Sequence, residues 1–223
     1  GAFRTFLGEY GIECEGITDP QMILLHDVEP LQPQDSLIYI AETYSPELYR
    51  IIQVTNRISN NFFAETMLRT IGKTLSGEGD YYSATQALKE FLKSRGVSVW
   101  GLTQDDGSGL SRENYVSPRF FCNYYTMMSE SATFAQFFES LPGPGRPGTL
   151  KTVLKNADPA LKATIRAKSG SLSSVRCYAG YVDSSKGLFK FAILVNNFAC
   201  PTRMVQPKIE GFMEQLASYG AEQ

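Results

Sequence analysis

Three strand-like segments that follow one another late in the chain constrain its fold more than any other feature. Residues 163–168, 175–182 and 188–196 are rich in strand-forming side chains, and only short polar connections separate them. Strands joined by such short connections pair side by side in opposite directions. The sequence therefore predicts an antiparallel meander, with the turn of a hairpin over residues 183–187.

The third of these strands is apolar on both sides apart from Lys190. Successive side chains of a strand point to opposite faces of the sheet. One face would carry Phe189, Phe191, Ile193 and Val195, and the other Leu188, Ala192 and Leu194. A sheet with two apolar faces has to be covered on both, so we expect helices on each side of it.

Helices are predicted before and after the meander. Apolar residues recur at helical spacing over residues 2–10, 48–58, 62–71, 81–96, 118–127, 134–138 and 205–216. We expect helix caps at Ser45, which precedes Pro46, and at Ser83. Two further short strands are expected over residues 37–40 and 97–100. The order of elements predicts an α+β fold, an antiparallel sheet covered by helices.

Composition excludes several classes of function. The formal net charge is −2 and the basic residues are spread along the chain, so neither a nucleic-acid surface nor an anionic-membrane surface is indicated. No apolar run approaches the roughly 18–20 residues that a membrane span needs. At 223 residues, one large domain is a better fit than two small ones.

The cysteines and the histidine argue against metal chemistry. Cys14, Cys122, Cys177 and Cys200 are too widely spaced for a zinc ribbon or a thioredoxin motif. Buried free thiols are the main interpretation, and a disulfide in an exported protein is the alternative. His26 is the only histidine and lies far from any serine-rich motif, which argues against a Ser-His-Asp triad and a histidine metal site. We expect no metal and no cofactor.

Two short motifs indicate a chemistry. Ser59-Asn60-Asn61 falls between two predicted helices, and Lys168-Ser169-Gly170 lies on the first strand of the meander. Alone, the first is typical of a helix cap or turn, and a lysine in an edge strand is typically solvated or guards against aggregation. Together they match two parts of the signature S-x-x-K, S-x-N, K-[TS]-G, which carries out serine acyl transfer. No S-x-x-K occurs among the 223 residues.

Further stretches occur in the order of one family. Residues 45–48 and 56–65 surround the first motif, residues 106–112 read Asp-Gly-Ser-Gly-Leu-Ser-Arg, and residues 148–150 and 167–172 lead into the second. From about residue 45 onward the chain resembles the D-alanyl-D-alanine carboxypeptidases/endopeptidases of the class C low-molecular-mass penicillin-binding proteins. Ser169 replaces the commoner threonine of that family and keeps its hydroxyl. Residues 106–109 are interpreted as a tight glycine-rich turn near the cleft.

The resemblance implies a β-lactamase/transpeptidase-like fold, of which this chain holds a partial domain. Residues 1–44 would be an N-terminal helix and connecting segment, and residues 45–223 the C-terminal part of the transpeptidase-like domain. In this family S-x-x-K lies near the N-terminus, and long insertions separate it from S-x-N. We therefore expect a fragment of the catalytic domain that cannot complete the reaction by itself. The absent nucleophile helix would leave an apolar groove at which copies of the chain could self-associate.

The resemblance also implies roles for the motif residues. The partners would be peptidoglycan peptides ending in D-Ala-D-Ala, and β-lactams, in the periplasm or cell envelope. Ser59 would relay a proton to the leaving D-alanine, and Lys168 would supply positive charge beside the substrate. The substrate-binding residues would be Asn61 for the peptide amide, Ser169 for the terminal carboxylate, Gly170 for close approach to the strand and Ser171 for the oxyanion hole through its backbone N–H.

Two other functions remain open from the residues. The same cleft could belong to a non-catalytic module that binds peptidoglycan peptides without cleaving them. A β-lactamase-like hydrolase ranks below both, because no general base for deacylation can be assigned.

Overall fold

The computed structural model describes residues 2–13 and 44–219, and the chain divides into two units, Gly1–Ser45 and Pro46–Gln223. In the first unit, helix α1 spans Ala2–Glu9, as the spacing predicts. The strand expected over residues 37–40 lies outside the described residues, as do Cys14 and His26.

The second unit places helices around a single sheet. Its elements are α2 Leu48–Ile58, α3 Asn61–Ser76, α4 Tyr81–Ser94, α5 Pro118–Ser129, α6 Phe134–Ser140, α7 Pro159–Thr164, β1 Ile165–Leu172, β2 Val175–Ser184, β3 Gly187–Asn196 and α8 Thr202–Tyr219. The strands pair antiparallel in the order β1-β2-β3, so the predicted meander is confirmed. Helix α7 was not predicted, because its short apolar pattern merges with that of the strand that follows.

Both faces of the sheet are covered, as the two apolar faces of β3 predict. On one face, α8 packs Val205, Ile209 and Met213 against a core that includes Val182 and Phe191. On the other, residues of α5 and α6 pack against Ala179 and Tyr181. The sheet is therefore the middle layer of an α+β fold.

The face beneath α5 is held by aromatic and polar contacts together. The rings of Tyr125 and Tyr181 meet edge to face with centroids 4.9 Å apart. The Tyr125 hydroxyl donates to Ala179 O at 3.0 Å, and the Tyr181 hydroxyl donates to Tyr125 O at 2.8 Å. Each buried hydroxyl thus has a partner, as burial of a polar group requires.

Two predicted helix starts are wrong. The N-cap of α2 is Glu47, whose extended backbone leaves Ser45 and Pro46 outside the helix. The N-cap of α4 is Asp80, whose carboxylate accepts from the Ser83 N–H at 2.9 Å, so Ser83 is the capped residue and not the cap. Serine and aspartate are comparable caps, and sequence alone did not separate them.

The strand predicted over residues 97–100 is also wrong. Its apolar residue Val97 is buried against Leu92 and Phe120 in a separate cluster, whereas Trp100 is 86% exposed. The nearest strand-like pairing is an isolated bridge between Thr103 and Tyr115. A strand needs a partner along its length, and this segment packs on helices instead.

Candidate active site

The first motif forms a sharp corner between two helices, as predicted. Ser59 ends α2 in the left-handed conformation, with φ 57°. Asn60 then caps α3, and its side-chain oxygen accepts from the Phe63 N–H at 3.0 Å. Asn61 is the first residue of α3 and is exposed. The corner leaves the side chain of Ser59 exposed rather than buried in the helix packing.

A direct hydrogen bond joins the two motifs. Lys168 lies on β1 opposite Ala179, and its Nζ donates to Ser59 Oγ at 2.9 Å across a separation of 109 residues. The same ammonium donates to Ser169 O at 2.7 Å. The position of Lys168 is therefore fixed from two sides, one of which is the hydroxyl that the sequence analysis predicts as a proton relay.

Burial changes the acidity of this lysine. Its partial burial lowers the pKa of Lys168 from the ordinary 10.5 to about 8, because an ammonium loses hydration there. A lysine with such a pKa is mostly charged at neutral pH but exchanges its proton readily. Lys168 can therefore both donate and accept a proton near pH 8.

A loop before α7 joins the end of α2 to the edge of β1. The Thr149 N–H donates to Arg57 O at 2.9 Å, and the Ala167 N–H of β1 donates to Pro142 O at 2.9 Å. Gly148 has φ 134°, and a Cβ there would lie 2.8 Å from Arg57 O, so the close approach requires glycine. The loop therefore covers the N-terminal half of β1 on the edge that does not pair with β2.

The loop also adds a hydroxyl that the sequence analysis did not single out. Ser169 Oγ donates to Thr149 Oγ1 at 2.9 Å, which leaves the proton of Thr149 free for a ligand. In the sequence, Thr149 is marked only by the Gly-Thr-Leu stretch at residues 148–150, which resembles the corresponding stretch of the family. That match was the signal that could have identified it.

The second half of β1 is open. Gly170, Ser171 and Leu172 are exposed. Backbone N–H groups of alternate residues point to the same edge of a strand, so the Ser171 N–H lies on the edge where Ala167 donates to Pro142. A Cβ at Gly170 would make only an ordinary contact, 3.5 Å from Cys177 Cβ. The chain itself therefore does not require glycine at this position.

The glycine-rich loop predicted beside the cleft is bonded to α3. Glu65 accepts from the Gly107 N–H at 2.9 Å and the Ser108 N–H at 3.0 Å. Asp106 accepts from the Gly109 N–H and the Ser111 N–H, both at 2.7 Å. Burial alone would raise the pKa of both carboxyl groups, but these hydrogen bonds outweigh it and hold both below their ordinary values.

All six predicted site residues line one groove of about 1260 Å³. They are Ser59, Asn61, Lys168, Ser169, Gly170 and Ser171. Thr149 and the loop of residues 106–110 line it as well. A further part of its wall is apolar and comes from Leu88, Leu92, Leu102, Phe120, Phe121 and Tyr124. The groove thus joins a polar site at the β1 edge to an apolar wall.

Neither a metal-binding cluster nor a membrane-spanning helix occurs in the described ranges, residues 2–13 and 44–219. They hold no group of three or more His, Cys, Asp or Glu side chains placed to bind a metal ion. Nor does any helix in them combine the length and apolar character needed to span a membrane.

Comparison with known sequences identifies relatives of this arrangement. The model of the D-Ala-D-Ala carboxypeptidase 3 (S13) family matches residues 9–219. A D-alanyl-D-alanine carboxypeptidase from Actinomadura sp. (strain R39) is 30% identical over 228 residues, which cover 100% of this chain and 41% of that protein. A penicillin-sensitive carboxypeptidase A from Dictyostelium discoideum is 31% identical over 167 residues, 70% of this chain and 31% of that protein. The chain thus spans less than half the length of these relatives.

Comparison with solved structures shows the same fold. Penicillin-binding protein 4 from Haemophilus influenzae, complexed with a β-lactam, aligns with a TM-score of 0.68 at 22% identity, over 76% of this chain and 40% of that one. A predatory endopeptidase from Bdellovibrio bacteriovorus gives 0.64 at 17% identity, over 78% and 44%. The extended-spectrum β-lactamase TLA-3 gives 0.57 at 14% identity, over 77% and 63%. The fold is therefore the predicted β-lactamase/transpeptidase-like one, present in part, and with a family match over residues 9–219 the chain belongs to the D-Ala-D-Ala carboxypeptidase 3 (S13) family.

Proposed function

We propose that this chain is part of a serine-type D-Ala-D-Ala carboxypeptidase/endopeptidase that cleaves peptidoglycan stem peptides through an acyl-enzyme. The observation that carries the proposal is the hydrogen bond from Lys168 Nζ to Ser59 Oγ. It joins two motifs of one catalytic signature, on elements far apart in the sequence, at the wall of one groove.

Ser59 and Lys168 are the proposed proton relay. Because Lys168 donates to Ser59 Oγ, the hydroxyl proton of Ser59 is free to pass to the leaving amine of D-alanine. The ammonium can then replace that proton, since its pKa of about 8 makes the transfer accessible near neutral pH. The relay needs no histidine.

The substrate would lie along the open half of β1. Asn61 at the start of α3 bonds its peptide amide. The hydroxyl of Ser169 turns its proton from Thr149 to the terminal carboxylate of the substrate. The backbone N–H of Ser171 faces the open edge and supplies an oxyanion donor. Since the chain leaves space at Gly170, the glycine keeps that space for an extended peptide or a β-lactam.

The nucleophile of the proposed reaction lies outside these 223 residues, which contain no S-x-x-K. The chain alone would therefore form no acyl-enzyme, and the activity belongs to a longer chain that includes that motif. Peptidoglycan as substrate places the protein in the periplasm or cell envelope. The absence of S-x-x-K also supports the second candidate, a module that binds D-Ala-D-Ala peptides without cleaving them.

Self-association is proposed for the apolar part of the groove. Leu110 lines the groove and is 54% exposed, and residues of α4 and α5 add apolar side chains to the same lining. Apolar surface of this kind is commonly covered by another chain.

Labelling with a fluorescent penicillin tests the catalytic proposal. We expect no covalent adduct on the 223-residue chain and a stable adduct on a longer chain with S-x-x-K ahead of residue 1. In the longer chain, Lys168→Ala should slow acylation by about 10²–10⁴-fold, the range typical of general acid–base groups. Lys190→Ala, on β3 and outside the groove lining, is the matched control and should acylate normally.

Two results would count against this assignment. A stable mass shift on a serine of the 223-residue chain would show that the nucleophile lies within it. Near-normal acylation of Lys168→Ala would contradict the proposed proton relay. Tight binding of a D-Ala-D-Ala peptide by the longer chain, without cleavage or acylation, would favour the binding module.

A further inference from the structure

Arg176 carries a buried polar atom without a partner. Among the described residues, its Nε is the one buried side-chain nitrogen or oxygen that makes no hydrogen bond. Arg176 lies on β2 directly opposite Ser171, and it lines the groove. A buried donor left unpaired is costly, so an acceptor supplied by a ligand at this position would stabilise the folded chain.

The neighbouring polar groups on the same face already have partners. Gln206 Nε2 donates to the Tyr178 hydroxyl at 3.0 Å and to Glu210 Oε1 at 2.7 Å. The other oxygen of Glu210 accepts from the Leu154 N–H at 3.0 Å. Glu210 is therefore engaged elsewhere, and no ion pair joins it to Arg176 in the part of the chain that the structure describes.

Arg176 lies within reach of the proposed carboxylate site. Ser169 pairs with Tyr178, and Ser171 pairs with Arg176, so Arg176 is diagonal to Ser169 on one face of the sheet. Diagonal neighbours are about 7–8 Å apart, which a long side chain can span. Lys168 points to the opposite face, where it is held by Ser59. Arg176 is thus a cation of the sheet itself on the face that carries the hydroxyl of Ser169, which bonds to Thr149.

We propose that Arg176 is a carboxylate-binding residue of the groove, which holds the terminal carboxylate of the ligand together with the hydroxyls of Thr149 and Ser169. The ligand class is a peptide with a free C-terminal carboxylate, and this identification rests on the proposed function. A guanidinium can donate two parallel hydrogen bonds to a carboxylate, one of them from Nε. A turn of the Arg176 side chain toward the groove would present the buried Nε to the carboxylate and satisfy it.

The test uses the Nε–Hε signal of Arg176 in the ¹⁵N-labelled 223-residue chain, assigned by its loss in Arg176→Gln. Titration with N-acetyl-D-Ala-D-Ala should shift this signal saturably, while the C-terminal amide of the same peptide at equal ionic strength should not. Arg176→Gln, followed through the other groove signals, should weaken binding of the carboxylate peptide at least about tenfold. Arg203→Gln is the matched control, because Arg203 also lines the groove but is exposed, and it should change affinity less than about twofold.

The outcomes are decisive in either direction. Equal shifts with the amide, no saturable shift with the acid, or an equal loss in Arg203→Gln would each overturn the proposal. If Arg176→Gln fails to fold, the more conservative Arg176→Lys, which also lacks the Nε–Hε group, supplies the assignment, and the acid-against-amide comparison on the unmodified chain decides. Because this readout needs no acylation, a carboxylate-dependent shift beside a failed penicillin-labelling experiment would separate this binding role from the peptidase proposal.

Discussion

Lys168 is a partly buried cation whose hydrogen-bond partners are the hydroxyl of Ser59 and the carbonyl of Ser169. In the described ranges the single ion pair joins Lys93 and Glu90 on the exposed surface of α4. With no carboxylate beside it, the burial of Lys168 lowers its pKa to about 8 without an opposing charge. Lys168 is therefore placed for proton transfer, and no ion pair within the described part of the chain stabilises the fold at this position.

This placement predicts a pH dependence of the free energy of unfolding. The pKa of Lys168 is about 8 when folded and near 10.5 when unfolded, so the unfolded chain binds more protons between these values. The contribution of Lys168 to the free energy of unfolding should therefore rise as the pH increases from about 8 to 10.5. Burial raises the pKa values of Cys122, Cys177 and the buried tyrosines, and these groups act in the opposite direction over the same range. Because the Lys168 side chain is partly exposed, we expect a rise of about 1–2 kcal/mol, measured by urea denaturation at each pH as the difference between the unmodified chain and Lys168→Met.

Lys168→Met should abolish that rise, because methionine does not titrate. Lys190→Met serves as the control on β3 and should retain it. A Lys168→Met profile that matches the unmodified chain between pH 8 and 10.5 would show that the lysine is not perturbed.

At the scale of elements, α3 connects two walls of the groove. Its first residue, Asn61, and its second-turn residue, Glu65, lie on the same side of the helix, four positions apart. Glu65 accepts two consecutive backbone N–H groups of the glycine-rich loop. A Cβ at Gly107 would lie 2.5 Å from Ala64 O, so the loop backbone rests directly on the helix. The glycine-rich loop is therefore held against the same helix that positions Asn61.

Glu65→Ala should release this loop. It leaves the Gly107 and Ser108 N–H groups without their acceptor, at a cost of about 1–3 kcal/mol in the free energy of unfolding. Hydrogen exchange at these two amides should accelerate at least about tenfold, as observed by NMR. Glu90→Ala, which removes only the exposed pair with Lys93, is the control and should cost under about 0.5 kcal/mol. Unchanged exchange at Gly107 and Ser108 would contradict the coupling.

The carboxylates of Glu65 and Asp106 also determine how the attachment of the loop depends on pH. Because the folded pKa of Glu65 and that of Asp106 are below their ordinary values, their contribution to stability is present above the ordinary values. This contribution is lost as the pH falls through the lowered pKa values of the folded chain. The loop should therefore detach only under acid conditions, well below neutral pH.

At the scale of the whole molecule, the apolar wall of the groove predicts association. Sedimentation velocity should show a weight-average mass that increases with concentration, because burial of apolar surface favours pairing. Leu110→Glu places a charge in the groove and should restore the monomer. Trp100→Glu is the matched control, because Trp100 is 86% exposed but does not line the groove. A chain that stays monomeric across the whole concentration range would rule out this surface.

Much of this fold could be predicted because its signals are local. The meander follows from short connections, and the corner at Ser59 follows from two helical patterns that meet there. The strand error came from a feature that depends on a partner distant in sequence, whereas the cap error is local and came from two comparable capping residues. Val97 looked like a strand residue but fills a cluster with Phe120, and the cap of α4 went to Asp80 rather than Ser83.

The same reason explains what was missed at the site. Five site residues were named from the two motifs and a sixth, Ser171, from the position after the second motif, and all of them line the groove. Thr149, Glu65 and Arg176 were not singled out, because each acquires its role only from chain segments that meet it after folding. No periodicity or spacing in the sequence near these residues indicates such contacts between distant segments.

The end of α2 is joined to segments that lie far along the chain. Asn56 donates to Ser140 Oγ at 2.8 Å across 84 residues, the Thr149 N–H donates to Arg57 O, and Lys168 reaches Ser59 across 109 residues. Contacts between such distant segments close long loops and form slowly, after local helices and hairpins. We therefore expect the groove to assemble in the last step of folding, so that the Lys168–Ser59 bond marks its completion.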